Sequence, residues 1–551
     1  MKRLFYLIFS LVSLLMITSG CGDNFLDQKN LTEQDESNFY TRPEKVKEAV
    51  TAIYASMSGK GTGDPITVAC VLSPDNLPGG GPSDIAPQGI DRFQLTQEDM
   101  YDQLWGRAYE GIFRANMLFM HKDDAKWDNE EDKNQVLGET HFLRAYFYFR
   151  LAKFFGEAPL ITDPLADPNQ PKASADELFT LIGSDLKAAI NLMSNKPYEE
   201  LEFGHASKWA AEALMARVFL FYTGVYNKST LPTSEGEITK KDVQDWLVDM
   251  IDNSGFSLVT SDYRNLWPYS YDTTYYKYAR VNDLKWVGEG TENPEFVFSI
   301  KFGPYAGWGD DQSLLYCNNY PLFVGLRNNT NSVIGDGWGW ATVNPQLWDS
   351  FEDNDTRQSG SILKIGNPEE NPEYQDGIFK YGKNQYQDET GCYIKKYTPI
   401  NGKDENGNWK GMYYLMYGGE DNKQLWNMQD LSIIRFSDVL LMAAELECPN
   451  AQNYFDEVRA RAGLDSKPVT LENIKAERRH EFAFEGLRYF DLMRWHDLEK
   501  AFGEVKDIPI KNEGQDATYT AVYRPETNGF LPIPPTEIRL SGGVLVQNPG
   551  W

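Results

Sequence analysis

Between positions 103 and 251, apolar side chains return every three to four residues in successive runs, a period that only helices packed against one another can bury. Leu104, Ala108, Ile112, Ala115 and Leu118 mark one face of a helix over about 103–120. Val136, Thr140, Leu143, Phe147, Leu151 and Phe154 mark the next. Ser174 followed by Glu177 forms a capping box, with Leu178, Ile182, Leu186, Ala189 and Met193 continuing the stripe behind it. Two further helices are predicted over about 207–223 and 240–251. Gly111, Ala115, Gly138, Ala145, Ala210 and Ala213 supply small side chains where such helices can cross closely.

This succession of antiparallel pairs resembles tetratricopeptide packing, in which each pair buries its face against its neighbours, although the period is irregular and the strict repeat signature is not met. From 255 to 426 the helical period disappears and Gly, Pro, Asn, Trp and Tyr take over. Eight of the 14 tryptophans (267, 286, 308, 338, 340, 348, 409 and 426) fall in this stretch, under a third of the chain, so the enrichment needs a reason. A strand is predicted at 295–300, and a hairpin over 393–416 turning near Asn406-Gly407. Helices are predicted again at about 432–447, 454–462 and 471–495. In the last, Arg478, Glu481, Glu485, Arg488, Asp491 and Arg494 alternate in sign, mostly at i,i+3, as expected of a solvated or interhelical ion-pair face.

The N-terminus reads as an export signal. Lys2 and Arg3 precede an apolar run, Leu4 to Ile17, too short to cross a bilayer as a helix, and small residues follow. Ile17-Thr18-Ser19-Gly20-Cys21 resembles a bacterial lipobox, which implies lipidation of Cys21; the alternative is an ordinary secretory signal with a chance cysteine at its end. Several acyl chains, each methylene contributing about 0.8 kcal/mol, would hold the body at a membrane, with the polar segment 22–38 as its tether. No second long apolar run occurs.

The formal charge of −28 argues against nucleic acid as a partner, since such a surface repels phosphate backbones. Cys70, Cys317, Cys392 and Cys448 show no Cys-x-x-Cys spacing, and the five histidines form no cluster, so neither metal nor cofactor is expected. His480-Glu481 begins like a zincin motif, but Phe484 stands where the second ligand belongs. Asp404, Asn406 and Asn408 begin like an EF-hand loop, but Trp409 replaces the needed glycine, so a hairpin turn is the better reading.

Several blocks, in order, resemble the SusD/RagB family of outer-membrane lipoproteins. They are Phe142-Leu143-Arg144-Ala145 leading to Phe155-Gly156-Glu157-Ala158-Pro159, Asn344-Pro345-Gln346-Leu347-Trp348 with Asp355-Thr356-Arg357, and Ile434-Arg435-Phe436-Ser437-Asp438. Then come Arg478-Arg479-His480-Glu481-Phe482 through Gly486-Leu487-Arg488-Tyr489-Phe490-Asp491, Leu531-Pro532-Ile533-Pro534, and the closing Gln547-Asn548-Pro549-Gly550-Trp551. The resemblance implies a mainly α fold, with four tetratricopeptide-like helix pairs as a scaffold and an irregular, loop-rich face containing short strands and hairpins. The chain is then expected to divide into a signal peptide (1–20), a lipid-anchored tether (21–38) and one SusD-like domain (39–551), with scaffold at about 39–254 and 427–500 and a ligand-face insert at about 255–426. The implied function is a non-catalytic lipoprotein on the exterior of the outer membrane that captures oligosaccharides and delivers them to a SusC-like TonB-dependent transporter. A peptide-capturing or structural lid on the same transporter is the alternative. A surface glycoside hydrolase is the third reading, but nothing in the sequence marks out its pair of carboxylates.

A sugar ring offers a C–H face and a rim of hydroxyls, so its site needs flat aromatic platforms with polar groups at their edges. In the family this face is built from a loop inside the first helix pair and from the irregular middle. The loop here carries Asp75, Asn76 and, after Gly79-Gly80-Gly81, Asp84. Trp267, Tyr269, Tyr271, Trp286 and Trp308 are the leading platform candidates. Trp338 and Trp340 rank lower, because their place beside the block at Asn344 favours packing.

Overall fold

The computed structural model describes residues 39–271, 274–289, 293–308, 313–329, 332–370, 381–382, 386–418, 421–425 and 427–551; the export signal, Cys21, the tether to residue 38 and Trp426 lie outside the described residues. The described part opens with α1 (Pro43–Tyr54) and α2 (Pro65–Val71). Then come α3 (Asp102–Met120), α4 (Glu130–Phe155), α5 (Ala175–Leu192), α6 (Lys208–Val225) and α7 (Lys240–Asn253). Each of α3 to α7 packs on the next. The stack then takes up helices from the far end of the chain: α8 (Phe436–Glu445) packs on α7, with α9 (Ala451–Arg461) and α10 (Leu471–Glu481) against α8 and α11 (Arg488–Arg494) against α6. The fold is mainly α, as the family resemblance implied.

Local chemistry explains the starts and the crossings. Both halves of the Ser174–Glu177 capping box form, and Thr239 with Asp242 makes a second box at the start of α7. The small residues act where helices meet. A Cβ on Gly111 of α3 would lie 2.2 Å from the Phe147 ring of α4, and one on Gly138 would lie 2.4 Å from Met193. The stripe residues Leu143, Phe147, Leu151, Ile182, Leu186 and Ala189 are completely buried.

The strands are short and, among the described residues, all pair in twos. Strand β1 (Asn76–Gly79) pairs antiparallel with β3 (Trp340–Val343), and β2 (Phe296–Ile300) with β8 (Leu431–Arg435). Strand β4 (Ile362–Lys364) pairs with β5 (Cys392–Ile394), and β6 (Asn401–Lys403) with β7 (Trp409–Gly411). One core cluster runs through both the helices and the irregular region.

Three sequence expectations are corrected. The helix over 432–447 starts only at Phe436, because Leu431–Arg435 adds to β2 as a strand, a tertiary pairing that overrides local pattern. The long hairpin over 393–416 is split: its first strand turns back on β4, a small hairpin closes at Asp404–Asn408, and Met412–Tyr417 is helical. Asp404 Oδ1 accepts from the backbone N–H groups of Asn406 and Asn408 at 2.9 Å each, an Asx-type turn rather than a calcium loop. The helix over 471–495 breaks between α10 and α11, with Phe484 at φ +68° and Gly486 at φ +72°.

The break has a use. It frees the Glu481 carbonyl to accept from Lys396 Nζ at 2.9 Å and Arg435 Nη2 at 3.0 Å, and the Phe484 carbonyl to accept from Tyr320 Oη at 2.8 Å. The alternating charges around it are buried, not solvated. Arg435 meets Glu295 (2.5 Å), Glu481 (2.8 Å) and Glu485 (2.8 Å). Arg461 meets Glu295 (2.7 Å) and Glu481 (2.5 Å), and Arg357 meets Asp355 (2.8 Å), Glu477 (2.5 Å) and Glu481 (3.1 Å). Glu295, Arg357 and Lys396 belong to the irregular region, so this network rivets it to the helical stack.

Candidate ligand-binding face

Among the described residues seven aromatic side chains stand exposed: Phe113, Tyr271, Tyr275, Tyr305, Trp308, Tyr316 and Tyr417. All but Phe113 belong to the irregular region. Neighbouring rings brace four of them. Tyr271 meets Trp286 edge-on (centroids 6.0 Å, 88°), and Trp286 rests on a small cluster of Met412, Tyr413 and Met428. Tyr275 meets Trp409 at 5.5 Å and 71°, with Lys403 Nζ 4.8 Å from the Trp409 ring, and Tyr305 meets Tyr316 at 6.4 Å and 81°. Edge-to-face contact is the preferred geometry for such rings and leaves a π face available. Tyr305, Tyr417 and Trp308, at 76%, 59% and 58% exposure, are the most open of the set.

A second locus forms where β1 meets β3. Gly79 pairs with Trp340, and Gly80 N–H donates to the Gly339 carbonyl at 2.8 Å. Gly79 and Gly80 sit at φ +64° and +78°, which turns the loop so that Asp84 Oδ2 accepts from Gly81 N–H at 2.6 Å. Arg327 Nη1 lies 3.4 Å from Asp84 Oδ2 and donates to the Trp338 carbonyl at 3.2 Å; a Cβ on Gly81 would collide with this guanidinium. Phe323 stacks on Trp340 (4.6 Å, 26°) and meets Trp338 edge-on (5.0 Å, 77°). Asp84 and Trp338, more than 250 positions apart, are thus brought together and are both half-buried.

Other candidates are withdrawn by burial. Trp267 and Tyr269 are 1% exposed. The Trp267 ring lies under Lys396 Nζ at 4.8 Å and beside Tyr397 at 5.5 Å, and Tyr269 packs with Tyr276 and Tyr278 around Lys395, so neither has a face for a ligand. Asp75 is a structural tie: Arg479 Nε lies 2.9 Å and Arg488 Nε 3.3 Å away, and these cations overcome burial to hold its carboxyl below the usual range. Asn76 is buried and donates from Nδ2 to the Ala341 carbonyl at 3.0 Å. Trp340 is buried beneath Phe323, in keeping with packing.

Tyr271, Trp286 and Trp308 remain as candidate platforms, with Asp84 and Trp338 as candidates at the second locus. Sequence reasoning missed Tyr275, Tyr305, Tyr316 and Tyr417. The signal available for Tyr305 was its setting in Gly303-Pro304-Tyr305, a stretch with neither helical nor strand period. Among the described residues no group of three or more His, Cys, Asp or Glu side chains is placed to hold a metal ion, and no helix is long and apolar enough to cross a membrane.

Residues 294–551 match the SusD family model, and residues 24–220 match the model described as starch-binding associating with outer membrane. The chain belongs to the SusD family. Among its SusD relatives is a SusD-like protein of Bacteroides ovatus, 25% identical over 507 residues, covering 87% of this chain and 80% of that one. SusD-like protein P2 of Formosa agariphila is 23% identical, covering 98% of each chain. Among solved structures, a laminarin binding SusD-like protein is 26% identical, with a TM-score of 0.72 over 93% of this chain and all of that one. Surface glycan-binding protein A from Bacteroides thetaiotaomicron, in complex with laminarihexaose, shares the SusD fold (TM-score 0.71, 22% identity, 92% of this chain and 100% of that one).

Proposed function

We propose that this SusD-family chain is a non-catalytic surface lipoprotein, anchored in the outer membrane through acylated Cys21, that captures oligosaccharides on its aromatic face and passes them to a SusC-like TonB-dependent transporter. The observation that carries the reading is the segregation of exposed rings: six of the seven exposed aromatics lie on the irregular region. Stacking of a sugar's C–H face on Tyr305, Trp308 or Tyr271 supplies apolar contact, and rigid aromatic side chains lose little entropy on binding. Asp84 and Arg327 sit where hydroxyls at the rim of a sugar could be met. The formal charge of −28 favours neutral over anionic glycans.

Electrophoresis through gels containing a panel of neutral polysaccharides tests the reading. Retardation by at least one glycan, reduced in Trp308→Ala and Tyr305→Ala, is expected; failure to bind any glycan, or binding of peptides instead, would refute it. Anchoring is tested separately, since Cys21→Ala should release the protein from the membrane fraction.

A further inference from the structure

The two aromatic loci of the candidate face adjoin one cleft of about 90 Å³ beside the β6–β7 hairpin. Met412 and Tyr413 in its wall belong to the cluster on which Trp286 rests. Leu322, also in the wall, accepts from the Trp338 backbone N–H at 2.7 Å, and Phe323 beside it is the ring that Trp338 and Trp340 pack against. The cleft therefore links the Trp286 end of the face to its Trp338 end.

The charged groups that line the cleft are spent on local partners. Asp336 pairs with Lys423, and Asp421 lies 3.1 Å from Lys410 and accepts from the Gly411 N–H at 3.1 Å. Three amides are not spent. Asn427 Oδ1 accepts from the Gln429 N–H and Asn422 Oδ1 from the Gln424 N–H, each at 2.9 Å. These bonds fix which end of each amide is oxygen, and they leave both Nδ2 donors without a partner among the described residues. Gln429 is 5% exposed; its Nε2 reaches the Lys396 carbonyl at 3.5 Å, and its Oε1 has no partner among the described residues.

Amides in a recess cost free energy unless their donors and acceptors are met. A sugar hydroxyl both donates and accepts, so a pair of them suits two Nδ2 donors and one Oε1 acceptor. An apolar ligand would leave the amides unmet, and an anionic sugar would be set against Asp336 and Asp421. We propose that this cleft is a hydroxyl-reading subsite, in which Asn422, Asn427 and Gln429 hold hydroxyls at the edge of one neutral sugar residue of a chain that lies across both aromatic loci. The cleft has room for a few hydroxyl-sized groups and not for a whole ring, so the ring itself stays outside, against the aromatics. The inference rests on the glycan-binding proposal and adds to it the source of specificity: stacking accepts many sugars, whereas an amide built to meet a hydroxyl rejects a ring that lacks it there.

Affinity gels containing amylopectin, a mixed-linkage β-glucan or a galactomannan, all neutral, supply the probes. Asn427→Asp and Asn422→Asp keep the oxygen that each side chain gives to the backbone and replace the donor by an acceptor. Each should weaken binding about tenfold in whichever gel retards the unmodified protein. Retardation that depends on Trp308 and Tyr305 but is unchanged in both aspartate variants overturns this inference and leaves the glycan-binding proposal standing; no retardation of the unmodified protein in any gel removes both. Should neither variant fold, crystals of the unmodified protein soaked in 0.5 M glucose decide. Hydroxyls within hydrogen-bonding distance of Asn427 Nδ2 and Gln429 Oε1 are expected, and a cleft that holds only water overturns the inference.

Discussion

In the helices α3 to α7, the buried surface is mostly apolar; in the irregular region from 255 to 425, burial is shared between aromatic rings and paired charges. Leu143, Phe147 and Ile182 have no exposure and no polar atoms to satisfy. Arg357, Lys395 and Lys396 are as deeply buried, but each depends on a carboxylate, and the Glu477 and Glu485 partners of Arg357 and Lys396 lie about 90 to 120 positions away. Helices α3 to α7 can therefore be assembled from neighbours in sequence. The irregular region is held only once distant segments have met, which leaves its outer rings free of any core role and available to a ligand.

The largest effect should come from cutting the rivet. Arg435→Met leaves Glu295, Glu481 and Glu485 partly uncompensated, and stability measured by urea unfolding should fall by about 3–5 kcal/mol. A loss below about 1 kcal/mol would mean that packing rather than charge ties the face to the stack. In the stack itself, Leu186→Ala opens a cavity in the α4–α5 interface and should cost about 2–4 kcal/mol in the same assay.

Two buried aspartates sharpen the comparison through pH. Asp438 is flanked by Arg217 and Arg478, which overcome burial and hold it below its ordinary value, so its contribution is lost as pH falls. Asp91, at the end of the helix Ile85–Asp91, has no ion-pair partner among the described residues, and burial first, then Asp388, push it up to about 8 from 3.8, against the opposing Tyr519 hydrogen bond and Arg92 charge. Between pH 4 and 8 the folded protein holds this proton and the unfolded chain does not. Stability should therefore fall as pH rises through that window, by up to about 1.4 kcal/mol per unit from this group. Asp91→Asn, compared with the unmodified protein by urea unfolding at pH 5 and pH 8, should remove that part of the slope; an unchanged slope would show Asp91 ionised.

The smallest stability effect is expected on the face. Trp308→Ala should alter unfolding by no more than about 0.5 kcal/mol while weakening glycan binding, by calorimetry, about tenfold. A large stability loss instead would place Trp308 in the core and break the division between rings that pack and rings that bind.

The stripes from Leu104 to Met193 and the Ser174–Glu177 box were legible because helix periodicity and capping are relations between residues three or four apart. The break at Phe484–Gly486 was not. A continuous apolar and charged pattern runs through it, and the freed carbonyls are satisfied by Tyr320, Lys396 and Arg435, which donate to them from elsewhere in the chain. For the site, Tyr271, Trp286 and Trp308 were named from composition and position, but so were Trp267 and Tyr269, and nothing local separates the two groups.

The sequence alone determined the helical scaffold, the small residues at its crossings, the absence of any metal-ligand spacing and the family blocks, since each is a matter of residue type at short separation. Only the tertiary structure decided which aromatics face outward, that Arg327 bridges Asp84 and the Trp338 carbonyl, and that the charges of α10 and α11 are interior. A tryptophan is buried or exposed according to what is brought against it, and the partners that bury Trp267, Arg435 and Lys396, lie far along the chain, while Trp308 stays 58% exposed.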